Sequence, residues 1–538
     1  MSALTQTVDT LAVNLHSVRV LQRAGVIDLL APGRVLRASR SVRQLGPIAG
    51  PVRFSAHRDP NRIALIDEVG ALTYRELDEC SNALARGFAV QGIGEGDTVA
   101  SMCRDHRGQV FTMLAAAKIG ARLVLLNTGF SGPQLIDVLA REGANVVVYD
   151  EEFAGTLGDT PSSILRILAW HDSATAGSAT VDDLVLSNSS AELPAPQRQG
   201  GFVLLTGGTT GTPKGCPREV KSPLAAAAFL ERIPLQRNEI VVLGAPLFHG
   251  TALTQFMMAL SLGSTVWIRR RFDARVTIVS VSEYRASTLV LVPTMLRRIL
   301  DLGTDVLSQL DLSSLRVIFS AGSALPAALG NSATDVFGDV LYNFYGSTEV
   351  GVAAISTPSD WRAAPGTVGK PPRACRARLY DDEGLLVTEP NRKGTIYVGS
   401  SLSFAGYSGG GGKQIIDGLL STGDVGHWDE EGRLFIDGRD DDMIVSGGEN
   451  VFPGEIEELL YAHSDIAEAA VVAVPDEEFG QRLAAFIVPH NGSQLSADDV
   501  RAYVKANLAR FKVPRDVHFV DELPRTTTGK LLRRELTP

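Results

Sequence analysis

The chain has 538 residues, which is too long for a single ordinary core, so we expect two or more domains. Its formal net charge of −10 disfavours non-specific binding to nucleic acid, which requires a basic surface. Its four scattered cysteines form no CxxC motif or Cys/His cluster. They therefore disfavour a metal–thiolate site or a disulfide scaffold and favour a reducing, cytoplasmic compartment.

The N-terminal stretch of about 45 residues is rich in arginine, with six arginines, two acids and apolar residues at helical spacing. One interpretation is an amphipathic segment that makes peripheral contact with a membrane or an acyl substrate. The other is a helix packed on the main domain, which we favour because the stretch lacks aromatic anchors. No apolar run is long enough to span a bilayer, and no secretory h-region is present. The arginines are Arg19, Arg23, Arg34, Arg37, Arg40 and Arg43.

From about residue 60 the pattern alternates helices with short apolar strands. Residues 72–91 predict a helix, and Thr73 with Glu76 predicts a capping box at its start. Continuous apolar strands between helices favour parallel sheets covered on both faces. The predicted strands are 99–102, 122–126, 146–149, 202–206, 240–243, 265–268, 289–292, 317–320 and 340–344.

The pattern changes after about residue 376, where short hairpin-like strands and glycine-rich turns appear. The run at 409–412 (GGGG) predicts a mobile surface loop. Near Gly438 a further α+β unit of about 100 residues begins, which predicts a small separate domain. Its predicted elements are strands at 469–474, 483–488 and 517–519 and a helix at 497–508.

Residues 206–215 (TGGTTGTPKG) follow a strand and combine four glycines, four threonines and one lysine. Glycines let backbone N–H groups wrap phosphate oxygens, threonine hydroxyls add donors, and Lys214 supplies positive charge. The Gly-Lys-Ser/Thr of kinase and GTPase loops is absent, because Pro213 precedes the lysine and Gly215 follows it. A flexible surface turn is the alternative, but it would not require so many hydroxyls beside a lysine. We therefore predict phosphate binding.

This stretch resembles the phosphate loop of the adenylate-forming superfamily, which includes acyl-CoA synthetases, firefly-type luciferases and peptide-synthetase adenylation domains. Gly207 stands where the family usually has serine, which removes one hydroxyl donor and leaves the backbone cradle. The resemblance implies that Thr209 is also a ligand of Mg²⁺. It implies that the phosphates of ATP contact Thr206, Gly207, Gly208, Thr209, Thr210, Gly211 and Lys214.

Residues 342–349 (YNFYGSTE) carry the second motif of the resemblance. In the family the aromatic residue that matches Tyr345 stacks near the adenine, with the glycine matching Gly346 beside it. The threonine that matches Thr348 contacts the α-phosphate, and the glutamate that matches Glu349 helps to hold Mg²⁺. A cation held by a carboxylate would offset the charge that develops when the α-phosphorus is attacked.

Motifs nearer the C-terminus complete the nucleotide site that the resemblance implies. In 421–424 (STGD) the family's aspartate, here Asp424, accepts hydrogen bonds from the ribose hydroxyls, and Arg439 matches an arginine that reaches the same ribose. Asp441 matches the hinge about which the C-terminal domain rotates between two states. Gly447 and Gly448 match residues presented to a pantetheine tunnel in the second state.

Lys530, in the stretch 524–531 (PRTTTGKL), lies eight residues from the C-terminus, where a lysine alone would suggest a solvated tail. The resemblance assigns it instead as the catalytic lysine that bridges the acyl carboxylate and the phosphates.

Two further segments concern the acyl site that the resemblance implies. His249, in 245–250 (APLFHG), is either a buried structural histidine or a match to the histidine that lines the acyl path and acts in a gate. The segment 320–326 (SAGSALP) resembles one that borders the adenine and the acyl pocket, and it brings in Gly322 and Ser323. No aspartate for a substrate amine is found in this region, which disfavours an amino-acid substrate.

The resemblance covers residues 50–538 and implies an α/β fold. We predict a large N-terminal domain of two doubly wound α/β lobes plus a β-rich lobe, with a small mobile α+β C-terminal lid domain. The predicted boundaries are an N-terminal extension at 1–50, a large adenylation domain at 51–437, a hinge at 438–442 and the lid at 443–538.

The predicted activity is that of an AMP-forming acid–thiol ligase that uses ATP, Mg²⁺ and CoA. A medium- to long-chain fatty acid is the predicted substrate, because the N-terminal extension and PLFHG resemble bacterial fatty-acyl-CoA synthetases. Three alternatives stay open: a fatty-acyl-AMP ligase that loads an acyl carrier protein, a luciferase-like oxidative enzyme, and a catalytically silent protein of this fold. The first usually carries an insertion that is not obvious near 350–420, and the retained catalytic motifs disfavour the last.

Overall fold

The computed structural model describes residues 3–28, 30–172, 179–206, 213–218, 223–440, 443–446, 449–476, 480–526 and 529–537. Its α-helices are α1 (Ala3–Ala24), α2 (Pro32–Arg58), α3 (Tyr74–Val90), α4 (Arg107–Ile119), α5 (Gly132–Glu142), α6 (Val181–Ser187), α7 (Ala227–Leu230), α8 (Gly250–Ser261), α9 (Ala274–Glu283), α10 (Pro293–Leu300), α11 (Thr304–Leu307), α12 (Ala327–Phe337), α13 (Pro358–Ala363), α14 (Pro453–Tyr461) and α15 (Ala497–Asn507).

Its strands are β1 (Ile63–Asp67), β2 (Gly70–Thr73), β3 (Thr98–Met102), β4 (Arg122–Leu125), β5 (Val146–Asp150), β6 (Leu165–Trp170), β7 (Phe202–Thr206), β8 (Lys214–Arg218), β9 (Ile240–Leu243), β10 (Thr265–Trp267), β11 (Thr288–Leu291), β12 (Val317–Ser320), β13 (Leu341–Tyr345), β14 (Ala354–Ser356), β15 (Arg376–Tyr380), β16 (Leu386–Val387), β17 (Gly394–Gly399), β18 (Ile415–Ile416), β19 (Leu419–Trp428), β20 (Leu434–Arg439), β21 (Ile444–Ser446), β22 (Glu449–Val451), β23 (Ile466–Asp476), β24 (Gly480–Pro489) and β25 (Asp516–Phe519).

Two large, mostly parallel sheets form the main body of the chain. One has the order β6-β5-β3-β4-β7-β8, and only its edge pair β7–β8 is antiparallel. The other has the order β14-β13-β12-β11-β9-β10-β1-β2 and is antiparallel only at its two edges. Their central strands are buried along their length, as the continuous apolar runs predicted.

A third, antiparallel sheet and a small C-terminal unit complete the fold. Strands β15–β20 pair in an antiparallel sheet, and β19 pairs with β20. The C-terminal unit contains the hairpin β21–β22 and the sheet β23-β24-β25, against which α14 and α15 pack. The predicted fold class, a large α/β domain with a β-rich lobe and a small α+β domain, is confirmed.

The N-terminal segment packs on the large domain, which confirms the interpretation favoured from sequence. The end of α1 buries Leu21, and the C-terminal half of α2 buries Ile48 and Val52. Within α2 the chain bends at Gly46, whose φ is 74°, and the two halves pack so closely that a Cβ on Gly50 would lie 2.6 Å from Cα of Val42. Among the described residues, no helix is long and apolar enough to cross a membrane.

The structure contains the capping box that the sequence predicts at the start of α3. Thr73 is the N-cap residue, and its hydroxyl oxygen accepts the backbone N–H of Glu76 at 3.2 Å. The Glu76 carboxylate in turn accepts the backbone N–H of Thr73 at 2.7 Å. The predicted capping box is confirmed, although the helix itself begins at Tyr74 rather than at residue 72.

The C-terminal unit is docked on the large domain by contacts near α10 and α12. The Glu458 carboxylate accepts the backbone N–H of Ala327, at the start of α12, at 2.6 Å. The Arg297 guanidinium lies over the ring of Tyr461, 5.9 Å from its centroid. These contacts place the last residues of the chain over the crevice at the carboxyl ends of the parallel strands, where open α/β sheets bind ligands.

Candidate active site

A single cavity of about 1790 Å³ runs between the large domain and the C-terminal unit. Its size exceeds the roughly 300–1,000 Å³ of common small-ligand pockets, so it has room for more than one ligand. It brings together twelve of the residues that the sequence motifs selected. They are Thr206, Lys214, His249, Gly322, Ser323, Tyr345, Gly346, Thr348, Glu349, Asp424, Arg439 and Lys530.

The remaining candidates lie outside the described residues, so the roles assigned to them from the sequence stay predictions. These are the interior of the phosphate loop, the hinge residue and the glycine pair near β21: Gly207, Gly208, Thr209, Thr210, Gly211, Asp441, Gly447 and Gly448.

The phosphate loop is held at both ends by a hairpin. Strands β7 and β8 are antiparallel, and Thr206 pairs directly with Lys214 across them. The Thr206 hydroxyl donates to the backbone oxygen of Lys214 at 3.3 Å. The Lys214 ammonium lies 5.0 Å from the centroid of the Tyr407 ring, in a cation–π contact. The described residues on either side of the loop, Thr206, Pro213 and Lys214, line the cavity.

Glu349 follows β13 and is fixed by the segment that contains Tyr407. The Tyr407 hydroxyl donates to Oε1 of Glu349 at 2.8 Å, and the Phe404 backbone N–H donates to the Glu349 carbonyl oxygen at 2.8 Å. Burial and the neighbouring Glu349 carboxylate raise the pKa of the Tyr407 phenol, so the phenol stays a donor. Tyr407 was not among the residues predicted from the sequence. Its only signal was an aromatic residue beside the glycine run at 409–412.

Asp424 lies on β19, directly opposite Arg439 on β20. The Tyr345 hydroxyl donates to Oδ2 of Asp424 at 2.6 Å, and Nη1 of Arg439 donates to Oδ1 at 3.5 Å. Burial raises the pKa of Asp424, while the Tyr345 hydroxyl, Arg439, Lys413 and Lys530 act in the opposite direction. The carboxylate is therefore half-buried, oriented by two donors and close to several cations.

Lys530 reaches this cluster on a turn that packs against α10. The turn is closed by the Lys530 backbone N–H, which donates to the Thr526 hydroxyl at 3.0 Å, and by the Thr526 N–H, which donates to the Lys530 oxygen at 2.8 Å. Gly529 has a φ of 79°, and a Cβ there would collide with the hydroxyl of Thr294. Glycine at this position therefore brings the backbone of the lysine turn close to the large domain.

We name Tyr345, Asp424, Arg439 and Lys530 the nucleotide cluster. His249 stands at the start of α8 and lines the same cavity. Burial lowers the pKa of its imidazole to about 4, and its Nε2 is buried with no hydrogen-bond partner among the described residues. Its ring lies 4.6 Å from that of Phe248. The preceding backbone is held by the buried Asp105 carboxyl group, whose oxygen accepts the N–H of Leu247 at 3.0 Å. His249 is thus a neutral side chain facing the cavity.

Beyond His249 the cavity is lined by α2 and α8, and we name this part of it the α2–α8 arm. The helices pack on each other. The α2 side contributes Pro47, Pro51, Phe54 and Arg58, and the α8 side contributes Gly250, Thr254, Met257 and Ser261.

A buried cluster of Cys103, His106 and Asp150 has spacing that would suit a metal ion, although the sequence showed no such motif. Its atoms are engaged within the protein. Nδ1 of His106 accepts the Gly108 N–H at 3.1 Å, so Nε2 carries the proton that it donates to Asp150 at 2.8 Å. The Cys103 thiol donates to the Val148 oxygen at 3.5 Å. These contacts give the cluster a structural role at the start of α4.

Two family models match the chain. The model of the AMP-binding enzyme matches residues 52–408, and that of the AMP-binding enzyme C-terminal domain matches residues 455–530. The first covers more than half of the chain. The chain belongs to the AMP-binding enzyme superfamily. It is an AMP-forming acid–thiol ligase, an enzyme that uses ATP to activate a carboxylic acid.

The similar proteins act on both aliphatic and aromatic acids. A fatty acid–[acyl-carrier-protein] ligase, ScoC from Streptomyces coeruleorubidus, is 31% identical over 92% of this chain and 96% of its own length. An indoleacetate–CoA ligase from Aromatoleum aromaticum is 32% identical over 89% of this chain and 95% of its own. The structure of an o-succinylbenzoate CoA synthetase from Bacillus subtilis with its acyl-adenylate has a TM-score of 0.79 and 27% identity, and it covers 91% of this chain and 98% of that one. The sequence resemblance to fatty-acyl-CoA synthetases in particular is therefore only a loose one.

Proposed function

We propose that this enzyme activates a medium- to long-chain fatty acid as its acyl-adenylate and transfers the acyl group to CoA, releasing AMP and pyrophosphate. One observation carries the choice of acid: the α2–α8 arm opens from the nucleotide cluster within the same cavity. An acid with its carboxyl group beside Lys530 could lay a long apolar tail past His249 into this arm.

In the first step the substrate carboxylate attacks the α-phosphorus of ATP and pyrophosphate leaves. Asp424 and Arg439 hold the ribose, the hairpin of Thr206 and Lys214 presents the phosphate loop, and Lys530 stabilises charge on the carboxylate and phosphate oxygens. The cation–π contact of Lys214 with Tyr407 leaves its ammonium free to turn toward phosphate, because that contact costs only about 0.5–1 kcal/mol to break at exposed sites.

The Glu349 carboxylate fits a magnesium ion, because it is an oxygen donor at the cavity surface, oriented by Tyr407. Together with Thr209, the second predicted ligand, it would hold Mg²⁺, which neutralises phosphate charge when bound.

The second step requires a different arrangement of the lid. We propose that the lid turns about the hinge at 438–442, withdraws Lys530 and brings Gly447 and Gly448 toward the pantetheine of CoA, whose thiol attacks the mixed anhydride. The contact of Glu458 with the start of α12 belongs to the first arrangement and must break. Two steps with incompatible geometries give a physical reason for two lid positions.

An acyl carrier protein is the alternative acceptor, because the relative from Streptomyces coeruleorubidus is named for one. The test incubates the enzyme with ATP, a mixture of fatty and aromatic acids, and either CoA or a holo-acyl carrier protein, and identifies the products by mass spectrometry. We expect fatty acyl-CoA. Products from aromatic acids alone would refute the proposed substrate, and acyl transfer to the carrier protein alone would refute the proposed acceptor.

A further inference from the structure

The chain upstream of the AMP-binding match, which begins at residue 52, lines the same cavity as the nucleotide cluster. We propose that α2 (Pro32–Arg58), most of which precedes this match, is one wall of the α2–α8 arm and limits the length of a straight alkyl chain that the enzyme accepts. The inference rests on the proposed function and narrows its substrate class. The upstream residues that line the cavity are Val26, Ala38, Val42, Pro47 and Pro51.

The spacing of the lining residues shows that each helix offers one continuous face to the arm. On α2 the lining positions 47, 51, 54 and 58 are four, three and four residues apart. On α8 the positions 250, 254, 257 and 261 repeat the same spacing. Residues at this spacing lie on one side of a helix, and 11 residues of helix extend about 16 Å. The arm is therefore a channel along two helices rather than a compact pocket.

The chemistry of these faces favours an alkyl chain over a substituted ring. Pro47 and Pro51 have no N–H to donate, and Phe54 offers only its ring. On α8 the Thr254 hydroxyl already donates to the Gly250 oxygen at 2.6 Å, within its own helix. Met257 adds a flexible apolar thioether. Apart from Ser261 and Arg58, at the last positions of the two faces, the walls thus offer few groups that could orient a polar ring substituent, and methylene groups leave no hydrogen bond unmade there.

The length of the arm sets an upper limit on the chain. An extended chain advances roughly 1.2 Å per bond, since a peptide unit of three bonds spans about 3.3–3.6 Å. An arm of about 16 Å therefore takes roughly 13 carbon–carbon bonds. At its end Arg58 pairs with Asp59 at 2.7 Å, and its guanidinium lies 5.2 Å from the centroid of the Phe54 ring. A charged group there makes further methylenes unfavourable.

The wall is also held firmly, as a length limit requires. Gln199 donates from Nε2 to the backbone oxygens of Val42 and Arg43, at 3.2 and 2.6 Å, where the first half of α2 ends. The opposite side of α2 is anchored by Arg53, which donates to Glu192 at 2.8 Å. With Val42 packed on Gly50 as well, α2 cannot move outward without breaking these contacts.

The test measures kcat/KM for acyl-CoA formation with straight-chain acids from butanoic to octadecanoic acid. In the unmodified enzyme we expect a rise of up to about fourfold per methylene until the arm is full, from about 0.8 kcal/mol per buried methylene. Val42→Trp places a large ring in the arm and should lower the ratio of long-chain to short-chain kcat/KM at least tenfold. Phe54→Ala removes the ring on which Arg58 rests at the end of the arm and should therefore move the optimum to longer chains.

Leu36→Trp is the control, since Leu36 lies on the same helix, is 66% exposed and is absent from the described lining. Because each profile is a ratio within one enzyme sample, partial loss of folding does not alter it. Profiles for Val42→Trp and Phe54→Ala that match the unmodified enzyme would overturn the wall assignment. Failure of the proposed function looks different: the unmodified enzyme would turn over aromatic acids and no straight-chain acid.

Discussion

The Tyr407 hydroxyl donates a hydrogen bond to Oε1 of Glu349 across 58 residues of sequence, at 2.8 Å. It therefore fixes one oxygen of the carboxylate that we assign to magnesium and leaves the other for the ion. Hydrogen bonds to charged groups contribute about 1.5–3 kcal/mol, so this contact is large enough to measure in the adenylation step.

Replacing Tyr407 by phenylalanine should raise the Mg²⁺ concentration needed for half-maximal adenylation about tenfold, because Glu349 loses its orienting donor. ATP–pyrophosphate exchange at varied Mg²⁺ measures this. Tyr380→Phe is a matched control, because Tyr380 makes the same kind of contact with Asp417, at 2.8 Å, away from the described cavity lining. Equal effects in both variants would contradict the role of Tyr407.

Replacing Tyr345 by phenylalanine should move the acid limb of kcat/KM for ATP to higher pH. Burial already raises the pKa of Asp424, and the Tyr345 hydroxyl works against that rise by donating to the ionised carboxylate. Without this donor the pKa of Asp424 rises further, so Asp424 becomes protonated at a pH where the unmodified enzyme is still active. The protonated side chain then binds the ribose hydroxyls more weakly. A pH profile with an unchanged acid limb would show that Asp424 does not bind the nucleotide in its ionised form.

Replacing Asp105 by asparagine should flatten the pH dependence of stability between about pH 4 and 7. Burial raises the pKa of Asp105 to about 7, so in the folded protein it stays protonated at pH values where the unfolded chain has lost that proton. Its stabilising contribution is present below its unfolded pKa and is lost as pH rises through about 7, at about 1.4 kcal/mol per pH unit.

Asparagine at 105 keeps an oxygen to accept the Leu247 N–H but does not titrate. Thermal unfolding at pH 5 and pH 8 measures the effect. The unmodified enzyme should lose more stability than the variant between these two values. Parallel losses in both would show that other groups carry the pH dependence.

Replacing Gly529 by alanine should slow acyl-AMP formation more than it slows thioester formation from supplied acyl-AMP. The new Cβ would collide with Thr294 and push Lys530 away from the nucleotide cluster, and this matters only in the first lid position. Gly492→Ala is the matched control. Its φ of 84° imposes similar backbone strain, of about 1–2 kcal/mol, while nothing lies within 4 Å of its added Cβ.

Equal losses in the two half-reactions of Gly529→Ala would mean that this contact serves folding alone. A half-reaction split in Gly492→Ala would point instead to a general effect of strain in the lid.

Much of the fold could be predicted from apolar runs and capping residues, because these patterns depend only on residues close together in sequence. The apolar runs at 240–243 and 317–320 coincide with β9 and β12, and the capping box of Thr73 and Glu76 is confirmed. The helix boundary at residue 72 and the end of the strand predicted at 289–292 were off by one or two residues, as expected where helices and strands fray.

What the sequence could not predict depends on contacts between distant segments. The Tyr345 hydroxyl donates to Asp424 across 79 residues, and β13 and β19 belong to different sheets, so only the tertiary packing of the two sheets brings these residues together. The bend of α2 at Gly46 escaped prediction because one glycine in a helical pattern does not show which way the chain turns. The candidate motifs could be identified in the sequence, but only the folded structure shows that they surround one cavity.

The pairing of Asp424 with Arg439 on adjacent strands has a consequence for the fate of the intermediate. Both residues belong to the antiparallel sheet of the large domain, upstream of the proposed pivot at Asp441, whereas Lys530 belongs to the part that turns. A rotating lid would carry the lysine away and leave the ribose clamp in place. The ribose of the acyl-adenylate would then stay bound to Asp424 and Arg439 while the lid rotates. The reactive anhydride would remain in the site until the thiol arrives, instead of dissociating into solvent and being hydrolysed there.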